Sequence, residues 1–121
     1  MAKILIVDDD VRLCDLLKDF LQDSLIESDC LHNGEDAQAL LLSPESSRYG
    51  LVLLDVKLPK SSGLEVLQAI RAGSIDIPVL VWTASRDPKD KANAFKLGAD
   101  DFIFKPCYPE ELLERIKALL S

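Results

Sequence analysis

Short, unbroken apolar runs recur along this chain, and each is followed by apolar residues spaced three and four apart. Ile4-Leu5-Ile6-Val7 and Leu51-Val52-Leu53-Leu54 are too short for helices and do not alternate with polar residues, as expected of strands buried on both faces. Ile26 to Leu31 is a weaker strand candidate, and Phe102 to Phe104 a short last one. Ile77 to Trp82 is a strand with its proline near the start, where a missing N–H is tolerated. Between these runs, Leu13, Leu16, Leu17, Phe20 and Leu21 mark one face of a helix. Glu35 to Leu42 reads as a second helix, stopped by Ser43-Pro44, and Leu64, Leu67 and Ile70 mark a third, stopped at Gly73. Asp87-Pro88 has capping chemistry for a fourth helix through Lys96, closed by Gly98. Pro109 opens a fifth, with Leu112, Leu113, Ile116, Leu119 and Leu120 on one face. Pro44 to Gly50 and Pro59 to Gly63 read as surface loops. Five strand–helix pairs imply an α/β fold: a parallel sheet, helices on both faces and right-handed crossovers.

A length of 121 residues, 48% of them hydrophobic, fits one domain over residues 1–121. The 21 acidic residues outnumber 14 basic ones, a net charge of −7 that argues against gripping nucleic acid, where surplus cations are needed. The acid excess serves either solubility or a cluster that holds a cation. Cys14, Cys30 and Cys107 form an odd set without CxxC spacing and read as small hydrophobes in a reducing compartment. Met1-Ala2-Lys3 leads straight into the first strand without a secretory signal, and no run approaches membrane-spanning length. A soluble cytoplasmic protein is the expectation.

In parallel α/β sheets, ligands bind beyond the carboxyl ends of the strands. Here those ends carry Asp8-Asp9-Asp10, Asp55, Thr83 and Lys105-Pro106, far apart in sequence but brought to one edge by the fold. Clustered carboxylates repel one another unless a cation neutralises them, and Mg²⁺ suits oxygen ligands of this kind. Thr83 offers a hydroxyl, Lys105 a mobile point charge, and Asp55 a carboxylate nucleophile, a set fitted to phosphoryl transfer. Neither GxxxxGK[ST] nor GxGxxG is present, which argues against nucleotide binding. His32 has no catalytic partner visible in the sequence and reads as a solvated side chain.

These strand-end residues, with Leu58-Pro59, Gly63 and Gly98-Ala99-Asp100-Asp101, resemble the receiver domain of two-component response regulators over essentially the whole chain. The resemblance implies a doubly wound (βα)5 flavodoxin-like three-layer sandwich with strand order 2-1-3-4-5. It implies a phosphorylation-dependent signalling switch, not an enzyme in the usual sense, that controls an effector. Asp55 would accept a phosphoryl group from a sensor histidine kinase or phosphotransfer protein. Asp8, Asp9, Asp55 and the backbone carbonyl of Lys57 would hold Mg²⁺, while Lys105 and Thr83 contact the phosphoryl oxygens. Thr83 and Phe102 would relay the change; Phe102 lacks a hydroxyl, so its inward rotamer is expected to be favoured even without phosphate. Lys57 and Ser85 have two readings: solvated loop residues, or neighbours of the acceptor that set how quickly the phosphoryl group is lost, with the Lys57 side chain pairing with the acids and Ser85 too short to shield the phosphoryl group. Lys91, Asp100, Asp101, Glu111 and Arg115 resemble the charged surface through which receivers of the winged-helix, OmpR-like class form symmetric dimers. DNA binding would then belong to a domain outside this chain.

Two other readings remain. Val7-Asp8-Asp9-Asp10-Val11 matches the opening signature of haloacid dehalogenase-type Mg²⁺-dependent phosphatases, with Asp8 as nucleophile, but leaves Asp55 idle and no room for a substrate-covering insertion. A phosphate-independent pseudo-receiver that only binds partners is the other.

Overall fold

A computed structural model describes residues 3–120; Met1, Ala2 and Ser121, the ends of the expected 1–121 domain, lie outside the described residues. The elements are β1 (Lys3–Val7), α1 (Val11–Asp23), β2 (Glu27–Leu31), α2 (Gly34–Leu41), β3 (Leu51–Leu54), α3 (Gly63–Ala72), β4 (Val79–Thr83), α4 (Pro88–Lys96), β5 (Asp101–Phe104) and α5 (Pro109–Leu120). All strand pairings are parallel, and the order is β2-β1-β3-β4-β5, the doubly wound arrangement expected.

The continuous apolar runs follow from this position, because a central parallel strand must present an apolar side chain to the helices on either face. Leu5, Val7, Val52, Leu54, Val79 and Val81 pack with Val66, Leu67 and Ile70 of α3. The alternate residues Ile4, Ile6, Leu51, Leu53, Leu80 and Trp82 pack with Leu17 and Leu21 of α1 and Leu112 and Ile116 of α5. Each fully buried Leu or Ile contributes roughly 2 kcal/mol. Caps set the helix starts: Asp10 accepts from Leu13 N–H at 3.0 Å, Asn33 from Asp36 N–H at 2.8 Å and Asp87 from Lys89 N–H at 2.9 Å, while Ser62 and Glu65 form a capping box on α3.

Two expectations are corrected. Pro44 to Gly50 is not a plain surface loop: Pro44–Arg48 makes a 3₁₀ turn, and the following Tyr49 is only 7% exposed. The Tyr49 hydroxyl donates to Asp29, which also pairs with Lys3 at 3.2 Å. No periodicity announces a single aromatic that reaches from just before β3 past β1 to β2. The fourth strand begins at Val79 rather than Ile77, since Pro78 has no N–H to give the ladder; its carbonyl instead accepts from Val52 N–H at 2.9 Å.

Candidate functional site

Asp8 directly follows β1, Asp55 follows β3, Thr83 ends β4 and Lys105 follows β5. Main-chain bonds continue past the strand ends and hold these residues in register: Asp8 N–H donates to Leu31 at 3.0 Å, Asp55 N–H to Val7 at 3.0 Å and Lys105 N–H to Thr83 at 2.9 Å. Carboxylate oxygens of Asp8, Asp9 and Asp55 consequently lie within 4.8 Å of one another. Asp8 is 1% exposed and Asp55 6%, whereas Asp9 is exposed at the mouth. The Lys105 ammonium bonds to Asp8 and, at 3.0 Å, to Asp55. The Lys105–Pro106 peptide is cis.

Burial lifts the pKa of Asp8; hydrogen bonds from Lys105 and from Asp10 N–H act against this without cancelling it. Burial also disfavours the Lys105 ammonium, yet the hydrogen bond to Asp8 and the charge of Asp55 outweigh it and hold its pKa above the ordinary value. Three carboxylates face one ammonium here. Hard oxygen donors with one exposed member fit a divalent cation of the Mg²⁺ type, with Asp8, Asp9 and Asp55 as the side chains able to hold it. Asp10, grouped with these acids by sequence, belongs instead to the cap of α1.

Thr83 is fully buried and its Oγ1 accepts from Ser85 N–H at 3.2 Å. Phe102 is 6% exposed and packs edge-on against Phe104, with ring centroids 5.2 Å apart, and near Phe95 at 6.4 Å. Lys57 gives its backbone N–H to Asp55 at 3.2 Å, but its side chain is exposed, and the salt bridges to Asp8 and Asp55 come from Lys105. Of the two readings of Lys57, the exposed loop side chain is the one found, and the half-buried Lys105 reaches the acids instead. The Ser85 hydroxyl is engaged with Asp90.

The charged surface residues are not gathered at the site. Asp101 pairs with Arg115 at 3.0 Å, and Asp100 accepts from Val79 N–H at 2.8 Å and from Arg71 at 3.3 Å. The Lys91 ammonium lies 5.8 Å from the Phe104 ring, and Glu111 is exposed on α5.

Two residues near the acids carried no signal in the sequence. His32 is not simply solvated: its Nδ1 donates to the Asp8 carbonyl at 2.8 Å, because β1 and β2 end side by side. Trp82 presents its ring to the Lys105 ammonium, 4.5 Å from the centroid. Both contacts join residues distant in sequence, which local patterns do not report.

The pattern of the response regulator receiver domain matches residues 4–117. The chain is 44% identical over 121 residues to the transcriptional regulatory protein CiaR of Streptococcus pneumoniae, covering 100% of this chain and 52% of that protein. It is 40% identical over 120 residues to the transcriptional regulatory protein CpxR of Escherichia coli, covering 99% of this chain and 50% of that protein. It thus spans about half the length of these curated relatives. The CheY-like response regulator receiver domain protein from Methanospirillum hungatei superposes with a TM-score of 0.91 at 30% identity, covering 99% of this chain and 94% of that one.

Proposed function

This chain belongs to the response regulator receiver domain family, and on that premise we propose that it is a phosphorylation-dependent switch whose phosphoacceptor is Asp55. Its relatives are transcriptional regulatory proteins, so its role is signalling rather than that of an enzyme. The observation that carries the Asp55 assignment is its place beside Asp8 and Asp9 with an oxygen already held at 3.0 Å by Lys105.

In this reading an Asp55 carboxylate oxygen attacks the phosphorus of a donor phosphohistidine, the P–N bond breaks, and an acyl phosphate forms on Asp55. Bound Mg²⁺ supplies charge neutralisation for the carboxylates and phosphoryl oxygens; Asp8, Asp9, Asp55 and the Lys57 carbonyl would hold it. Lys105, already between two carboxylates, follows the new negative charge. The Thr83 hydroxyl turns toward the phosphoryl oxygens, and Phe102 occupies the space it leaves. The change reaches the surface formed by α4, β5 and α5, through which two copies pair. Residues 1–121 then act as one cytoplasmic receiver domain, charged by a sensor histidine kinase or phosphotransfer protein. It controls a DNA-binding effector outside this chain.

Incubation with acetyl phosphate or beryllofluoride and Mg²⁺ tests this reading. With acetyl phosphate, wild type should gain one acid-labile phosphoryl group that Asp55→Asn lacks, and with beryllofluoride it should bind the phosphoryl mimic where Asp55→Asn does not. Loss of labelling in Asp8→Asn with retention in Asp55→Asn would favour the phosphatase alternative, and no labelling of wild type a pseudo-receiver.

A further inference from the structure

Lys105 is the one cation shared by Asp8 and Asp55 among the described residues, and its ammonium has a third neighbour besides the two carboxylates. That neighbour is the indole of Trp82, 4.5 Å from the ammonium to the ring centroid. Strand alternation accounts for the contact. Trp82 pairs in register with Ile103, and Lys105 comes two residues after Ile103, so all three belong to the same face of the sheet. Thr83, one residue on, pairs with Phe104 and belongs to the opposite face.

The ring is well seated. Trp82 is 4% exposed and packs in the cluster formed with α1 and α5. Its indole N–H, however, is buried without a hydrogen-bond partner. An orphan donor is a cost that a leucine or phenylalanine at this place would not carry. Apolar filling alone therefore does not account for an indole here, whereas its electron-rich face does: it attracts a cation and accepts no proton from it. An ammonium has three donors, and two are used by Asp8 and Asp55.

We propose that Trp82 is a positioning residue for Lys105, a π face 4.5 Å from the ammonium that holds it at the acid cluster alongside the two carboxylates. The inference rests on Asp55 being the phosphoacceptor. As charge moves from the carboxylates to the incoming phosphoryl group, the ring keeps the lysine over the site while its other two donors change partner. A leucine leaves the lysine tethered by the reacting groups alone.

The test compares Trp82→Leu with Trp82→Phe, which retains a smaller π face and removes the orphan N–H. Phosphorylation of Asp55 by acetyl phosphate with Mg²⁺ should slow about five-fold in Trp82→Leu and recover substantially in Trp82→Phe. Both variants are checked by thermal melting, so that loss of fold is separated from loss of rate. In a Lys105→Met background, Trp82→Leu should have no further effect, since a residue acting through Lys105 has nothing left to position. An independent readout needs no phosphorylation: the Lys105 side-chain methylene protons should show an upfield ring-current shift in NMR that is reduced in Trp82→Phe and absent in Trp82→Leu. A folded Trp82→Leu protein phosphorylated at the wild-type rate, or wild type without the ring-current shift, overturns the proposal. Wild type that shows the shift but takes up no phosphoryl group overturns the Asp55 assignment, and the positioning role falls with it.

Discussion

Arg86 donates to the backbone carbonyl of Lys105 at 2.9 Å while its guanidinium lies 4.4 Å from the centroid of the Phe104 ring. The loop after β4 thus clasps the loop after β5, and the clasp closes at the lysine that reaches the acids. Arg86→Ala removes both contacts and should lower stability by about 1 kcal/mol in urea denaturation. Arg86→Lys, which loses the planar stack, should fall between the two.

Gly63 opens α3 directly behind the acceptor. A Cβ at this position would stand 1.9 Å from the carbonyl oxygen of Asp55 and 2.9 Å from the Cα of Val56. Backbone cannot give way as a flexible side chain does, so Gly63→Ala should cost about 3 kcal/mol and displace Asp55. Thermal melting and Asp55 phosphorylation should therefore fail together; an unperturbed melt would contradict the close approach.

Tyr49 gives a pH signature remote from the site. Burial, together with its hydrogen bond to Asp29, pushes its phenol from the ordinary 10.0 up to about 12. The unfolded chain ionises first, so the stability this tyrosine contributes is complete below pH 10.0 and is lost as pH rises toward 12. The stability difference between wild type and Tyr49→Phe should be flat up to that point and then shrink. A difference that stays constant through the alkaline range would rule the hydrogen bond out.

Lys57 and Ser85 flank the acceptor differently. Lys57 is exposed, so Lys57→Ala should change stability by less than about 0.5 kcal/mol while altering the lifetime of the phosphoryl group on Asp55 several-fold. The Ser85 hydroxyl bonds to Asp90 and accepts from Asp87 N–H at 3.4 Å, both at the start of α4. Ser85→Ala should therefore cost about 1 kcal/mol as well as changing that lifetime. Release of phosphate and urea midpoints, measured on the same samples, separate the two cases.

Arg115 already has a partner within its own chain, Asp101 at 3.0 Å. Pairing between two copies through this surface requires the bond to be exchanged or shared. Arg115→Glu sets two acids side by side and should abolish any beryllofluoride-dependent dimer in sedimentation. The monomer should lose no more than about 1 kcal/mol, since the pair is solvent-accessible. A variant that still dimerises would remove this surface from the switch.

Much of the site was legible in the sequence because parallel α/β topology is written in local patterns. Runs such as Leu51 to Leu54 name the strands, Asp87-Pro88 names a helix start, and the residues just beyond each strand then fall at one edge. Local patterns fail where one residue type has two uses. Asp8, Asp9 and Asp10 are indistinguishable as letters, yet two of them join the acid cluster and the third caps α1. Likewise nothing in Pro44 to Gly50 signals that Tyr49 folds back onto Asp29.

The sequence by itself determined the elements, their order and the acids at the strand ends, because hydrophobic period and capping act between residues a few positions apart. Only the tertiary structure decided that Lys105 reaches Asp8 and Asp55 ahead of Lys57, with Trp82 beneath its ammonium and His32 on the Asp8 carbonyl. Those are contacts through space between separate strand ends. They are set by sheet order and by which face each residue takes, and neither can be computed from spacing along the chain.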